Sequence, residues 1–130
     1  MKVRIYYHHT DCGKVVYYGK YLEFLEEART EYFDERGLLL KELEKQGVYF
    51  VVARQEIDYK YPAFYGDILT IKTTVSGISS VKAVFECEIT NQDNKVISTA
   101  KTILVCVSRE LKPQAMPQEL REKLSDKGNK

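Results

Sequence analysis

An α+β fold of two layers, a five-stranded sheet curled around one long helix, is the architecture this chain predicts. Three observations carry it. One stretch near the N-terminus, residues 20–36, sustains a helical apolar period. From residue 48 onward the pattern changes to four strand-like runs separated by short, turn-rich connections. The chain has 130 residues, 44% hydrophobic and 30% charged, which suits one domain over 1–130 with one core.

The first strand is "KVRIYY", residues 2–7, where Val3 and Ile5 alternate with charge. After a loop, Tyr21, Leu25, Ala28 and Tyr32 recur at helical spacing. Leu22 and Phe33 widen this stripe, and Glu23, Glu26, Glu27 and Glu31 decorate the other side, where Phe24 interrupts them. Gly37 marks the stop, with Arg36 placed against the carbonyl end. A helix of roughly 17 residues is ~25 Å long, enough for a sheet to wrap. "LLLKELEKQG", residues 38–47, reads as a shorter helix ended by Gly47.

"VYFVVARQEIDYKY" then forms a strand long enough to need a bend or bulge, since strands usually run ~3–10 residues. "PAFYGD" breaks it at Pro62 and Gly66. "ILTIKTTV", "VKAVFECEIT" and "VISTAKTILVCVSR" follow, separated by the turns "SGISS" and "NQDNK". Short connections predict mainly antiparallel pairing of these later strands. Ala100 and Leu104 fall on one face of the last strand, and Ile103, Val105 and Val107 on the other. One helix cannot cover both, so a partner subunit is the simplest second cover. A Pro-punctuated tail, "LKPQAMPQELREKL", ends in a short helix expected to fray beyond Ser125.

Charge excludes some functions. Lys plus Arg total 20 and Asp plus Glu total 19, a balance with no general attraction for nucleic acid or an anionic membrane. No apolar h-region follows the N-terminal basic residues, and no run approaches the ~20 residues of a membrane span. The three cysteines, Cys12, Cys87 and Cys106, are widely spaced with no CxxC pair, which fits free thiols in the cytoplasm.

Chemistry concentrates in "HHTDCGKVVYYGKY", residues 8–21. Asp11 suits a turn-capping loop residue. It also suits a carboxylate facing a helix N-terminus, whose unpaired N–H groups polarise a carbonyl while the carboxylate attacks it or activates water. Gly13 and Gly19 allow close backbone approach. His8 and His9, on an extended strand, point to opposite faces and do not converge on a metal ion with Asp11; they read instead as residues that orient the loop by hydrogen bonds. Cys12 has no histidine at a recognisable spacing, and all three cysteines read as small packed residues.

The string "YYHHTDCGKVVYYGKYLEFLEEART" resembles the opening motif of the 4-hydroxybenzoyl-CoA thioesterase family, and most nearly its branch of small bacterial Tol–Pal-associated acyl-CoA thioesterases. "IDYKYPAFYGDILTI" and "VCVSRELKPQAMPQEL" resemble that family's second and third blocks, in the right order. The resemblance implies the hotdog fold, with dimers joined edge to edge and often paired into homotetramers. It implies hydrolysis of an acyl-CoA, with no metal or organic cofactor and CoA arriving as part of the substrate. The catalytic aspartate falls on Asp11, as nucleophile or general base. The backbone N–H that polarises the carbonyl falls on Tyr18, with Gly19 beside it. Tyr18 departs from the histidine common in the Tol–Pal branch and matches the hydroxybenzoyl branch. For the CoA end, Lys60, Tyr65, Asp67, Ser80 and Lys82 are the candidate contacts. A non-catalytic acyl-CoA or acyl-carrier-protein binding module on the same fold is the alternative, and a hotdog dehydratase a third.

Overall fold

The computed structural model describes residues 1–12 and 14–125. Helix α1 spans Lys20–Glu35 and buries Tyr21, Phe24, Leu25, Ala28, Arg29, Tyr32 and Phe33. The expected stripe is therefore shifted: Phe24 lies inside it, and Leu22 is 46% exposed. The helix stops where the sequence predicts. Gly37 takes φ +72°, a left-handed turn that suits glycine. Arg36 donates to the Tyr32 carbonyl at 3.1 Å, answering one of the open carbonyls of the last turn. Helix α2, Leu40–Lys45, is one short turn closed by Gly47 at φ +80°.

Five strands pair antiparallel throughout: β1 (Lys2–Arg4), β4 (Tyr49–Tyr59), β5 (Ile68–Ile78), β6 (Lys82–Thr90) and β7 (Val96–Val107). Two short strands, β2 (Thr10–Asp11) and β3 (Val15–Val16), form a separate hairpin. Helix α3, Gln118–Ser125, closes the far end, and the expected fraying beyond Ser125 lies outside the described residues. The sheet order is β1-β5-β6-β7-β4.

That order corrects one expectation. β4 and β5 are consecutive but do not pair; β4 sits at an edge beside β7, as Tyr49↔Val107 through Tyr59↔Ser98. Residues 60–67 must cross three strand spacings, about 14 Å. Eight residues reach about 26 Å when extended, so the crossing is easy. It carries Tyr61 to Tyr65 past the start of α1, which matters for the site. The predicted irregularity in β4 is a register shift between Val52 and Arg54. The first strand is shorter than expected, because the chain turns away into a 3-10 turn at Tyr7–His9. Conversely β5 runs through "SGI" to Ile78, absorbing those residues with a shift between Val75 and Gly77.

The core has two parts along α1. Near its start, Tyr21, Leu25 and Ala28 pack with Ile5, Ala63, Leu69, Ile71 and Ile89. Near its end, Tyr32 and Phe33 pack with Phe85, Leu104, Met116, Leu120 and Leu124. Each fully buried Leu or Phe is worth about 1.5–3 kcal/mol of transfer free energy. At the end of β7 the chain's own tail comes alongside: Val107 pairs with Pro113, and Gln114 donates to the Val107 carbonyl at 3.2 Å. Ile103 and Val105 stay half-buried on that side.

Candidate active site

The β2–β3 hairpin holds Asp11. Thr10 pairs with Val16 and Asp11 with Val15, and Cys12 takes a left-handed φ of +55° at the turn. Gly13 lies outside the described residues. Two hydrogen bonds and the bridge that one of them belongs to fix this hairpin in place. The Val16 N–H donates to the Ala63 carbonyl at 2.9 Å, the Tyr17 N–H donates to the His9 carbonyl at 3.0 Å, and Val15 bridges to Phe64. The crossing loop therefore serves as a third strand for the hairpin.

Tyr17, Tyr18 and Gly19 lead directly into α1. Gly19 caps the helix with backbone alone, in the αR region and with no side-chain cap. A Cβ there would meet Tyr17 Cε2 at 2.7 Å, so glycine lets the Tyr17 ring lie against the backbone. The N–H groups of Tyr18 and Gly19 donate to no partner among the described residues, while Lys20 and Tyr21 donate to Tyr17 and Tyr18 carbonyls. Open donors combine here with the positive end of the α1 dipole. The Tyr59 hydroxyl reaches the Tyr18 carbonyl at 3.4 Å. Tyr17 ionises above its ordinary value, chiefly through its hydrogen bond to Tyr18; the negative charge of Asp11 adds to the rise.

Beside the helix start lies a cleft of about 280 Å³, lined by Val16, Tyr18, Tyr21, Tyr59, Lys60 and Tyr61, among others. Its walls are aromatic: Tyr59 meets Tyr18 and Tyr21 edge-on, with centroids 6.3 and 5.6 Å apart. Tyr21 is buried, and burial pushes its hydroxyl up to about 12, with a backbone hydrogen bond at Ala63 opposing the rise. Lys95 places its ammonium 4.1 Å from the Tyr61 ring centre.

The structure divides the candidate residues into groups. Tyr18 and Lys60 line the cleft at the start of α1, Gly19 caps that helix, and Asp11 pairs with Val15, another residue of the cleft wall. Tyr65 lies on the crossing loop, edge-on to Tyr7 at 6.1 Å. Both carboxylate oxygens of Asp67 are engaged within the chain: Oδ2 accepts the Phe64 N–H at 2.8 Å and Oδ1 accepts Gln92 Nε2 at 3.0 Å. Asp67 thus ties the crossing loop to the β6–β7 turn. Ser80 and Lys82 lie at the opposite end of the sheet, past the far end of β5, about 36 Å along the strand direction from Asp67.

The two histidines are not on an extended strand. They occupy the 3-10 turn, and their rings pack at 4.1 Å between centroids. Among the described residues no three His, Cys, Asp or Glu side chains gather as a metal site. Cys87 and Cys106 are buried, and burial raises both thiols above their ordinary value. Cys12 is exposed, and none of the three is in a disulfide. Sequence reasoning missed Tyr59 and Tyr61. Their alternation in "DYKY" was readable, but only the crossing of the next loop decides which end of α1 they meet. No helix among the described residues is long and apolar enough to cross a membrane.

Comparison with known proteins converges on one group. The thioesterase-like superfamily profile matches residues 5–124. The acyl-CoA thioesterase YbgC of Haemophilus influenzae is 38% identical over 125 residues, covering 92% of this chain and 88% of that protein. The acyl-CoA thioester hydrolase YbgC of Escherichia coli O6:H1 is 35% identical over 119 residues, with 91% and 89% covered. A 1,4-dihydroxy-2-naphthoyl-CoA thioesterase from Synechocystis superposes with a TM-score of 0.89 at 25% identity, over 98% of this chain and 95% of that one.

Proposed function

The chain belongs to the thioesterase-like superfamily, and from that premise we propose that it hydrolyses acyl-CoA thioesters, with Asp11 as the reacting carboxylate. The carrying observation is the coupling of the Asp11 hairpin to the start of α1. The Tyr17 N–H bonds the His9 carbonyl, so Asp11 and the open N–H groups of Tyr18 and Gly19 belong to one braced unit. A thioester carbonyl whose oxygen accepts from those N–H groups is polarised, and the oxyanion formed on attack is stabilised. In the direct route an Asp11 oxygen attacks the carbonyl carbon, CoA leaves as thiolate, and water cleaves the resulting anhydride. In the other route Asp11 takes a proton from water, the hydroxide adds, and CoA thiolate leaves. Both yield free acid and CoA and restore Asp11.

The aromatic cleft beside Tyr18 suits the acyl group, with Lys60 at its rim toward the CoA arm. Tyr65 remains a candidate contact for the same arm, while Asp67 supports the loop from behind. Ser80 and Lys82 are too distant to serve the same copy's Asp11, and they fit the reading as contributions from a second subunit. The unpaired edge of β4 supports such a dimer. Antiparallel self-pairing centred on Gln55 sets Arg54 opposite Glu56 of the partner subunit, twice over, and covers Val51 and Val52, which are 39% and 51% exposed. A homotetramer of two such dimers, working in the cytoplasm, completes the proposal.

A hydrolysis panel tests the activity. Acetyl-, butyryl-, benzoyl-, hydroxybenzoyl- and palmitoyl-CoA are each incubated with the protein and CoA release is followed with a thiol reagent. Turnover of at least one substrate is expected. Binding of acyl-CoA without CoA release establishes the non-catalytic module instead. Light scattering tests assembly: a stable 15.1 kDa monomer at micromolar concentration overturns the two-subunit site.

A further inference from the structure

The paired histidines have no part in the chemistry above, yet His9 occupies the joint of the Asp11 hairpin. Its own main chain and its ring each hold a different piece. The Tyr6 N–H donates to His9 Nδ1 at 2.9 Å, and the His9 N–H donates back to the Tyr6 carbonyl at 3.0 Å. This reciprocal clasp closes the 3-10 turn in the manner of a capping box, with imidazole in place of Glu or Gln. The His9 carbonyl accepts the Tyr17 N–H, the residue before Tyr18, and Asp11 follows two positions later on β2. Thr10 Oγ1 donates to the Tyr7 carbonyl at 2.6 Å and reinforces the same turn. Edge-on contact with Phe24 at 5.3 Å seats the ring on the first turns of α1.

We infer that neutral His9 is a positioning residue: by accepting the Tyr6 N–H it holds Asp11 and the Tyr17–Tyr18 segment in register at the start of α1. The inference rests on the thioesterase reading for its catalytic consequence. An imidazolium carries a proton on Nδ1 and cannot accept. Protonation therefore sets two donors against each other at 2.9 Å and opens the clasp. The surroundings favour the neutral ring. Burial lowers its proton affinity most, then adjacent His8 and the Lys20 ammonium; Glu23 alone works the other way. Tyr6, on the same turn, presents its phenol and carries Arg4 over its ring at 5.8 Å. The positive end of α1 also disfavours a cation here. His9 accordingly titrates below its ordinary value of about 6.5.

The sign follows. The brace is complete above the His9 titration and is lost as pH falls through it, so turnover acquires an acid limb that belongs to His9 and not to the reacting carboxylate. Gln at position 9 can accept the same N–H without titrating; Phe can stack but cannot accept.

The experiment measures turnover of benzoyl-CoA and butyryl-CoA from pH 4.5 to 8.5 for the wild type, His9→Gln and His9→Phe, together with amide NMR spectra of the wild type and His9→Gln over the same range. His9→Gln is expected to stay within about twofold of wild-type plateau turnover, with its acid limb moved down by about one pH unit or more. His9→Phe is expected to lose about tenfold or more at every pH, with the Michaelis constant little changed. The Asp11 and Tyr18 amides should titrate with the His9 ring in the wild type and stay flat in His9→Gln. An unmoved acid limb in His9→Gln, wild-type turnover in His9→Phe, or Asp11 and Tyr18 amides that ignore the His9 titration each overturns the inference. If the wild type hydrolyses neither these two thioesters nor any other of the five-substrate panel, the thioesterase reading fails, and the amide titration still decides the role of His9 on its own.

Discussion

The Tyr59 hydroxyl, at the end of edge strand β4, donates to the main-chain carbonyl of Tyr18 at the start of α1, 3.4 Å away. In a trans peptide the carbonyl and the next N–H point in opposite directions. A donor on the Tyr18 carbonyl therefore aims the Gly19 N–H the other way, and polarises it by hydrogen-bond cooperativity. The helix start lacks a side-chain cap, so this contact from the sheet joins the Tyr21 N–H, which donates to the same carbonyl at 3.3 Å, in fixing the peptide.

Tyr59→Phe keeps the ring contacts with Tyr18 and Tyr21 and removes the hydroxyl. Turnover should fall about threefold to tenfold, equivalent to a hydrogen bond worth up to ~1.4 kcal/mol, with little change in the Michaelis constant. Steady-state kinetics check this; wild-type turnover shows that the peptide is held without Tyr59.

Asp11→Asn keeps size and removes charge. Turnover should fall at least ~10²-fold, while the melting temperature stays near that of the wild type, since Asn makes most of a turn aspartate's bonds. A well-folded variant with nearly unchanged turnover on its best substrate defeats both chemical routes. It also separates a reacting carboxylate from a merely turn-forming one.

The three thiols should be dispensable for chemistry. Cys87 and Cys106 are buried and resist ionisation, and exposed Cys12 has no disulfide partner. A Cys12→Ser, Cys87→Ala, Cys106→Ala variant should retain turnover per folded molecule. If it melts cooperatively yet loses most activity, Cys12 becomes the nucleophile to test.

Arg29 is buried at 9% exposure, with no carboxylate in ion-pair range among the described residues. Its Nη1 donates to Thr102 Oγ1 at 3.4 Å, and that hydroxyl donates onward to Gln55 Oε1 at 2.7 Å. Thr102→Val leaves both partners short of a bond inside the protein. A loss of about 1–3 kcal/mol in urea unfolding is expected. A change under about 0.5 kcal/mol means that water already serves these groups.

The sequence by itself determined the large elements, because each rests on a local cause. The 3.6-residue stripe, Gly37 and Gly47 define the helices, and strict alternation from Ala83 to Ile89 defines β6. It also singled out Asp11, Tyr18 and Gly19, through a motif continuous along the chain. What only the tertiary structure decided depends on contacts between distant segments. Pairing β4 with β7 rather than β5 is a choice among sheet edges that no local pattern encodes. That choice sends residues 60–67 across the start of α1, brings Tyr59 to the Tyr18 carbonyl, and makes Asp67 a loop tie. It also leaves Ser80 and Lys82 at the far end of the sheet, although they lie only fifteen residues or fewer beyond Asp67 in sequence. His9 shows the same limit at short range. Adjacent histidines on a strand diverge, but once Ile5 pairs with Asp67 and the chain turns away from the sheet, a 3-10 turn brings the two rings into contact and sets one of them as the acceptor that closes the site's brace.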